Sequence, residues 1–227
     1  MILIKANNSL YCVNNPQQTS FKGKEAKISD EVLNALIIYK DGFFEINNKL
    51  RGVRKDKLTP EEEKYIKGVL AAPKRTLNED TFVFRGIGDT YCFNPLKMLK
   101  VGEIFHEKGF TALSPLERIA KEFRFSVGVI AKILMPKGSK YIDVDSLLIE
   151  NIDRLPEYHR QFYKIAENPC HEWILPPETD YYVKSYSNKG SIFDPAMENC
   201  SEKKDPQNLG KFDFIYIPDY TPINPVR

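Results

Sequence analysis

The feature that most constrains this chain is a change of hydrophobic pattern near residue 80. Before it, apolar residues recur at helical spacing. After it, they come in short runs separated by turn residues. Ser29 and Asp30 are capping residues placed just ahead of Val32, Leu33, Ala35, Leu36 and Ile37, which predicts a helix that stops at Asp41-Gly42. A second short helix is expected over Phe44–Leu50. The run Thr59-Pro60-Glu61-Glu62-Glu63 combines a capping threonine, proline at the first helical position and acids in the first turn. It predicts a helix to about Leu70, ended by Pro73.

From Thr81 onward the expected elements are mostly strands. They are Thr81–Phe84, Glu103–Phe110, the continuous apolar run Val127–Met135, Tyr141–Val144, Glu172–Leu175, Tyr181–Tyr186 and Phe212–Ile217. Pro115–Phe125 interrupts them with helical spacing, and residues 145–169 are polar and partly helical. Helices first and strands afterwards make an α+β chain, not an alternating parallel one. Gly86-Ile87-Gly88 is only a fragment of a dinucleotide fingerprint with no βαβ unit after it, which makes a Rossmann reading weak. The chain divides into a lead-in (1–28), a helical lobe (29–75), a core (80–186) and a surface loop with a final strand (187–227), expected to form one domain.

Bulk properties limit the partners. With 42% hydrophobic and 28% charged residues the chain has the balance of a soluble globular protein. Its net charge of +2 is too mild to point to nucleic acid or a membrane surface. Cys12, Cys92, Cys170 and Cys200 lack the close pairing of a zinc site, so no metal is expected and the thiols read as reduced. The apolar start Met1-Ile2-Leu3-Ile4 is too short for a signal-peptide core. Synthesis in a cytosol is expected, and delivery into a target cell without a standard signal peptide is compatible with it.

Three segments carry the chemistry. Phe82-Val83-Phe84-Arg85-Gly86 is an apolar strand ending in Arg-Gly. Gly109-Phe110-Thr111-Ala112-Leu113-Ser114 precedes a helix containing Ala120, Glu122 and Phe123. Glu172-Trp173-Ile174-Leu175-Pro176-Pro177-Glu178-Thr179 continues to Tyr182-Val183. Taken in order, with the supporting phrases Ile46-Asn47-Asn48-Lys49-Leu50-Arg51 and Met135-Pro136-Lys137-Gly138, they resemble the toxin-like mono-ADP-ribosyltransferases of the Arg-Ser-Glu class over residues 30–185. The resemblance implies N-terminal helices packed on a mainly antiparallel two-sheet core with an NAD cleft. It also implies cleavage of NAD, as substrate, at the nicotinamide–ribose bond and transfer of ADP-ribose to a target macromolecule, a protein rather than a nucleic acid. A monomer is expected.

By that resemblance Arg85 holds the phosphate and ribose side of NAD. A guanidinium suits the task because it stays charged and offers a planar fork of donors. Gly86 lets the backbone approach the nicotinamide amide. Phe123 and Arg124 match the family's stacking aromatic and phosphate arginine, and Ser114 keeps the last position of the middle motif. Breaking the nicotinamide bond leaves an oxocarbenium-like ribose, and a fixed carboxylate at Glu172 stabilises that charge. Glu178, in a turn after Pro-Pro, has the ordinary expectation of a solvated charge.

Two positions depart from the family pattern. Its Ser-Thr-Ser reads Ala112-Leu113-Ser114 here, so the serine that usually braces the glutamate is missing. Thr111 is adjacent, but strand alternation turns it to the other face. Two residues before Glu172, where the family has the acceptor-selecting glutamate or glutamine, stands Cys170, a poor general base for a guanidinium. An acceptor other than simple arginine is expected, and alternation turns His171 away from Glu172. An NAD glycohydrolase using water, and a silent NAD-fold binding module, remain alternatives. Tyr158–Tyr163 interleaves aromatics with Arg160 and reads as an amphipathic helix or a partner contact.

Overall fold

A computed structural model describes residues 5–6, 9–10, 27–87, 102–123, 129–165, 171–187 and 211–217. A short ribbon, β1 (Lys5–Ala6) with β2 (Ser9–Leu10), leads into three helices. Helix α1 spans Asp30–Gly42, and Oγ of its cap Ser29 accepts from the N–H of Val32 at 3.3 Å. Its buried residues Val32, Leu33, Ala35, Leu36 and Tyr39 follow the expected apolar stripe. Helix α2 covers Phe44–Leu50 and helix α3 Pro60–Leu70. At the start of α3 the Thr59 hydroxyl accepts from Glu62 N–H, and the Glu62 carboxylate accepts from Thr59 N–H, a reciprocal cap contributing about 1 kcal/mol. Gly68 brings α3 onto α1, since a Cβ there would lie 2.6 Å from that of Ala35.

The other described strands form two sheets. The larger holds β4 (Thr81–Ile87), β7 (Val129–Met135), β11 (Lys211–Ile217), β10 (Thr179–Ser187) and β5 (Ile104–Glu107), in that order. Every neighbouring pair in it is antiparallel except β11 with β7. The smaller sheet holds β3 (Arg75–Thr76), β8 (Lys140–Asp143), β9 (Trp173–Leu175) and β6 (Thr111–Leu113), all antiparallel. Paired hydrogen bonds of 2.8 and 2.9 Å between Phe84 and Ser114 stitch β4 to the end of β6. Three further helices are α4 (Glu117–Phe123), α5 (Val144–Glu150) and α6 (Glu157–Ile165). In α6 His159 and Tyr163 are buried and Tyr158 is exposed, as an amphipathic helix requires.

The small sheet is the middle of three layers. Ile142 and Ile174 face the helices and share a core with Leu36, Val69, Phe110 and Leu148. Tyr141 and Leu175, one residue away on the same strands, face the large sheet with Val83, Ile133 and Met135. That alternation is the strand period of two, applied to a sheet buried on both sides. Ala131, Ile133 and Met135 are buried on one face of β7, which pairs on both edges, while Lys132 on the other face lies over the ring of Phe82.

The α+β architecture matches the sequence expectation, with two local corrections. The strand expected over Glu103–Phe110 is shorter, β5 alone, and the strand β6 that follows the turn was not expected. β5 ends at Glu107 because the side chain of Glu107 turns inward and accepts from the N–H of Gly109 at 2.9 Å, and β6 begins at Thr111. The strand expected from Glu172 begins at Trp173. His171 before it has φ of 47°, which is incompatible with an extended chain, so alternation does not decide where His171 points. The final strand starts at Lys211, and the loop expected before it lies outside the described residues apart from Ser187 in β10.

Candidate active site

Two ion-pair systems face a common cleft, one centred on the large sheet and one at the helical lobe beside β9. The first centres on Glu107, which is 4% exposed. Its Oε1 accepts from Arg51 Nε at 2.9 Å and its Oε2 from Arg85 Nη1 at 3.0 Å. Arg51 also donates from Nη2 to the carbonyl of Phe110 at 3.3 Å. Burial raises the Glu107 pKa, but the Arg85 and Arg51 guanidiniums more than offset this and hold the carboxyl below its usual range. Asn47, one turn before Arg51 on α2, accepts from Phe110 N–H at 2.9 Å. Thus α2, β4 and the β5–β6 turn are pinned around one buried carboxylate.

The second system centres on Asp145, at the start of α5 and 1% exposed. Its Oδ1 receives the Tyr163 hydroxyl at 2.8 Å and lies 3.1 Å from Lys40 Nζ. Its Oδ2 accepts from the N–H of Glu172 at 2.8 Å. The carbonyl of Glu172 accepts from Val144 N–H, and its Oε2 meets Lys40 Nζ at 2.7 Å. Burial pushes Asp145 up, while Lys40 and these donors bring it below the usual carboxylate value. Burial, with the charges of Asp145 and Glu172, holds the Tyr163 hydroxyl well above the ordinary phenol value. Tyr39, packed edge-on against Phe110, is likewise raised by burial and by Glu172.

Between these systems lies a cleft of about 240 Å³. Of the residues singled out in the sequence, Arg85, Gly86, Ser114, Phe123 and Glu172 all line it. Arg124 and Cys170 lie outside the described residues. Ser114 also has a local task, since its Oγ accepts from Leu116 N–H at 3.2 Å and turns the chain into α4. Ala112 lines the cleft. Thr111 is 0% exposed, with its hydroxyl unpartnered among the described residues, so it offers the cleft no polar atom. Glu178 stands apart in a turn with φ of 60°, its carboxylate 2.5 Å from His106. On its other side the His106 ring nitrogen lies 2.6 Å from Asp180, and this contact, with that of Glu178, raises the His106 pKa.

Sequence reasoning missed Lys40, Phe44, Glu107 and Asp145. Lys40 and Phe44 line the cleft directly. Asn47 and Arg51 line it too, and both belong to the phrase that supported the resemblance. Phe44 and Phe123 are 52% and 57% exposed while lining the cleft, so two aromatic faces stay open to a ligand there.

No protein-family profile and no curated protein matches the sequence. Solved structures do match in three dimensions. The Clostridium limosum C3 exoenzyme superposes with a TM-score of 0.55 at 16% identity, over 84% of this chain and 87% of that one. Exoenzyme S from Pseudomonas aeruginosa, solved with human 14-3-3 protein beta and carba-NAD, gives 0.53 at 17% identity over 82% and 74%. C3larvin, an ADP-ribosyltransferase toxin from Paenibacillus larvae, gives 0.52 at 19% identity over 86% and 90%. The chain has the fold of the bacterial ADP-ribosyltransferase toxins. That fold is the α+β arrangement of helices on a mainly antiparallel two-sheet core implied by the three sequence segments. Among the neighbours, C3stau2 from S. aureus was solved with NAD, at TM-score 0.55 and 16% identity over 85% of this chain and 89% of that one. Among the described residues no group of His, Cys, Asp and Glu could hold a metal, and no helix is long and apolar enough to cross a membrane.

Proposed function

We propose that this protein is a mono-ADP-ribosyltransferase that takes NAD as substrate and transfers ADP-ribose to a protein target. The observation that carries the reading is that Arg85 on β4 and Glu172 just ahead of β9, far apart in sequence, line one cleft in a fold shared with ADP-ribosyltransferase toxins. The cleft suits NAD chemically. Arg85 and Arg51 supply two guanidiniums for a pyrophosphate, prefixed by Glu107 so that little side-chain entropy is lost on binding. Phe44 and Phe123 supply faces for an aromatic ring, and Gly86 a backbone with no Cβ.

The reaction breaks the bond between ribose C1′ and the nicotinamide nitrogen, and the bonding electrons leave with nicotinamide. Glu172 offsets the positive charge that develops on the ribose. The acceptor then bonds to C1′ and gives up its proton. Lys40 beside Glu172 argues for an acceptor other than arginine. A guanidinium approaching Glu172 would meet an ammonium already 2.7 Å from that carboxylate. Cys170 is the assigned acceptor-side residue, on its position two before Glu172.

Incubation with NAD labelled in the ADP-ribose part, with and without cell lysate, tests the reading. Label on a protein is the expected result. Free ADP-ribose alone makes the protein a glycohydrolase, and unchanged NAD makes it a silent binding module.

A further inference from the structure

We propose that Lys40, seated on Asp145, is the positioning residue that aims the carboxylate of Glu172 at its substrate. The inference rests on the reading of Glu172 as the charge-stabilising group. Glu172 lies one residue ahead of β9 and follows a residue in the left-handed region, so no strand ladder orients its side chain. On the opposing strand β6, Ala112 presents only a methyl group to the cleft. The group that holds the carboxylate is the ammonium of Lys40, on Oε2, which leaves Oε1 to a substrate hydroxyl.

A lone cation at that point would cancel the charge that Glu172 brings to an oxocarbenium-like ribose. The arrangement avoids this. Lys40 lies 3.1 Å from the buried carboxylate of Asp145, so that pair is neutral and the three groups together keep one negative charge. Asp145 also accepts the main-chain N–H of Glu172 at 2.8 Å. One buried carboxylate therefore fixes Glu172 twice, through its backbone and, by way of Lys40, through its side chain. The Tyr163 hydroxyl, donating at 2.8 Å, braces Asp145 from α6. A merely structural ion pair accounts for Lys40 with Asp145, but not for the shorter contact to Glu172 inside the cleft.

The test uses the full chain and measures nicotinamide release (kcat), NAD affinity by calorimetry and thermal unfolding for Lys40→Met, Lys40→Arg and the double variant Lys40→Met with Asp145→Asn. A misplacement of about 1 Å costs roughly a hundredfold in rate. Lys40→Met is expected to lose kcat on that order with Kd for NAD within threefold of wild type. Lys40→Arg, which keeps the charge on Asp145, is expected to recover most of the lost rate. The double variant leaves no orphaned buried carboxylate, and is expected to fold and to be as slow as Lys40→Met. It takes the place of the single variant if that one unfolds. Wild type that releases nicotinamide, with either Met-containing variant folded and within threefold of it, overturns the role of Lys40 alone. So does a Kd that weakens in step with kcat, since Lys40 would then bind substrate instead of positioning Glu172. Wild type that releases none overturns the enzymatic reading first, and this one with it.

Discussion

Arg85 on β4 and Glu107 on β5 join the two outer strands of the five-stranded sheet, Nη1 to Oε2 at 3.0 Å. The same carboxylate takes Arg51 from the helical lobe, so a cleft arginine, a sheet edge and α2 depend on one buried charge.

That dependence predicts a pH signature for Glu107→Gln. The folded-state pKa of Glu107 lies below its unfolded value of about 4.3. Its contribution to stability is therefore fully present above that value and is lost as pH falls through the folded pKa. Replacing it with glutamine leaves two part-buried guanidiniums facing a neutral amide, at a cost of about 3 kcal/mol at pH 7. Thermal unfolding should show the variant well below wild type at pH 7, with the gap narrowing as pH drops below about 4. A gap independent of pH would mean that Glu107 acts through packing and not through charge.

Glu172→Gln is expected to keep the Lys40 contact and NAD affinity but lose nicotinamide release by on the order of a hundredfold or more. The amide has nearly the same shape and no charge for the developing oxocarbenium. Single-turnover nicotinamide release, paired with calorimetry, measures both. Turnover near the wild-type rate would remove Glu172 from the chemistry.

Arg85→Lys should weaken NAD binding by about tenfold and lower turnover with it. Lysine keeps a charge near Glu107 but gives up the planar fork that can serve the carboxylate and a phosphate at once. Equal NAD affinity in the two proteins would place Arg85 in the scaffold and not in the site.

Legibility followed the range of the interactions. Helix α3 was readable because its determinants, Thr59, Pro60 and Glu62, lie within one turn of each other. The apolar periods of α1 and β7 likewise announce their own buried faces. The motif residues Arg85, Ser114 and Glu172 were readable only as a set, and the structure brings them to one cleft. Lys40 and Asp145 were not readable. Lys40 in the last turn of α1 and Asp145 in the first turn of α5 are what helix-terminal electrostatics alone would place there. Nothing local to either shows that the two meet, or that Glu172 meets both. The break between β5 and β6 was hidden for a similar reason. It depends on Glu107 turning in to two arginines, one from a helix more than fifty residues earlier.

Gly109 offers the last test, because it separates the cleft from the fold. A Cβ at Gly109 would lie 3.0 Å from Arg51 Nε and 3.0 Å from Asn47 Oδ1, both of which line the cleft. Neither can give way cheaply. Arg51 Nε is held on Glu107 at 2.9 Å, and Asn47 Oδ1 holds the N–H of Phe110 at 2.9 Å. Ala in place of Gly also reduces the freedom of the unfolded chain, a gain of about 0.4–1 kcal/mol that offsets part of the strain. Gly109→Ala is therefore expected to move thermal stability by no more than about 1 kcal/mol. Its effect on NAD should be larger, a loss of affinity of about tenfold, because the displaced atoms belong to Asn47 of α2 and its C-cap Arg51, two polar side chains of the cleft. Calorimetric titration beside thermal unfolding decides the matter. A variant with wild-type affinity would mean that Arg51 and Asn47 stand outside the NAD site.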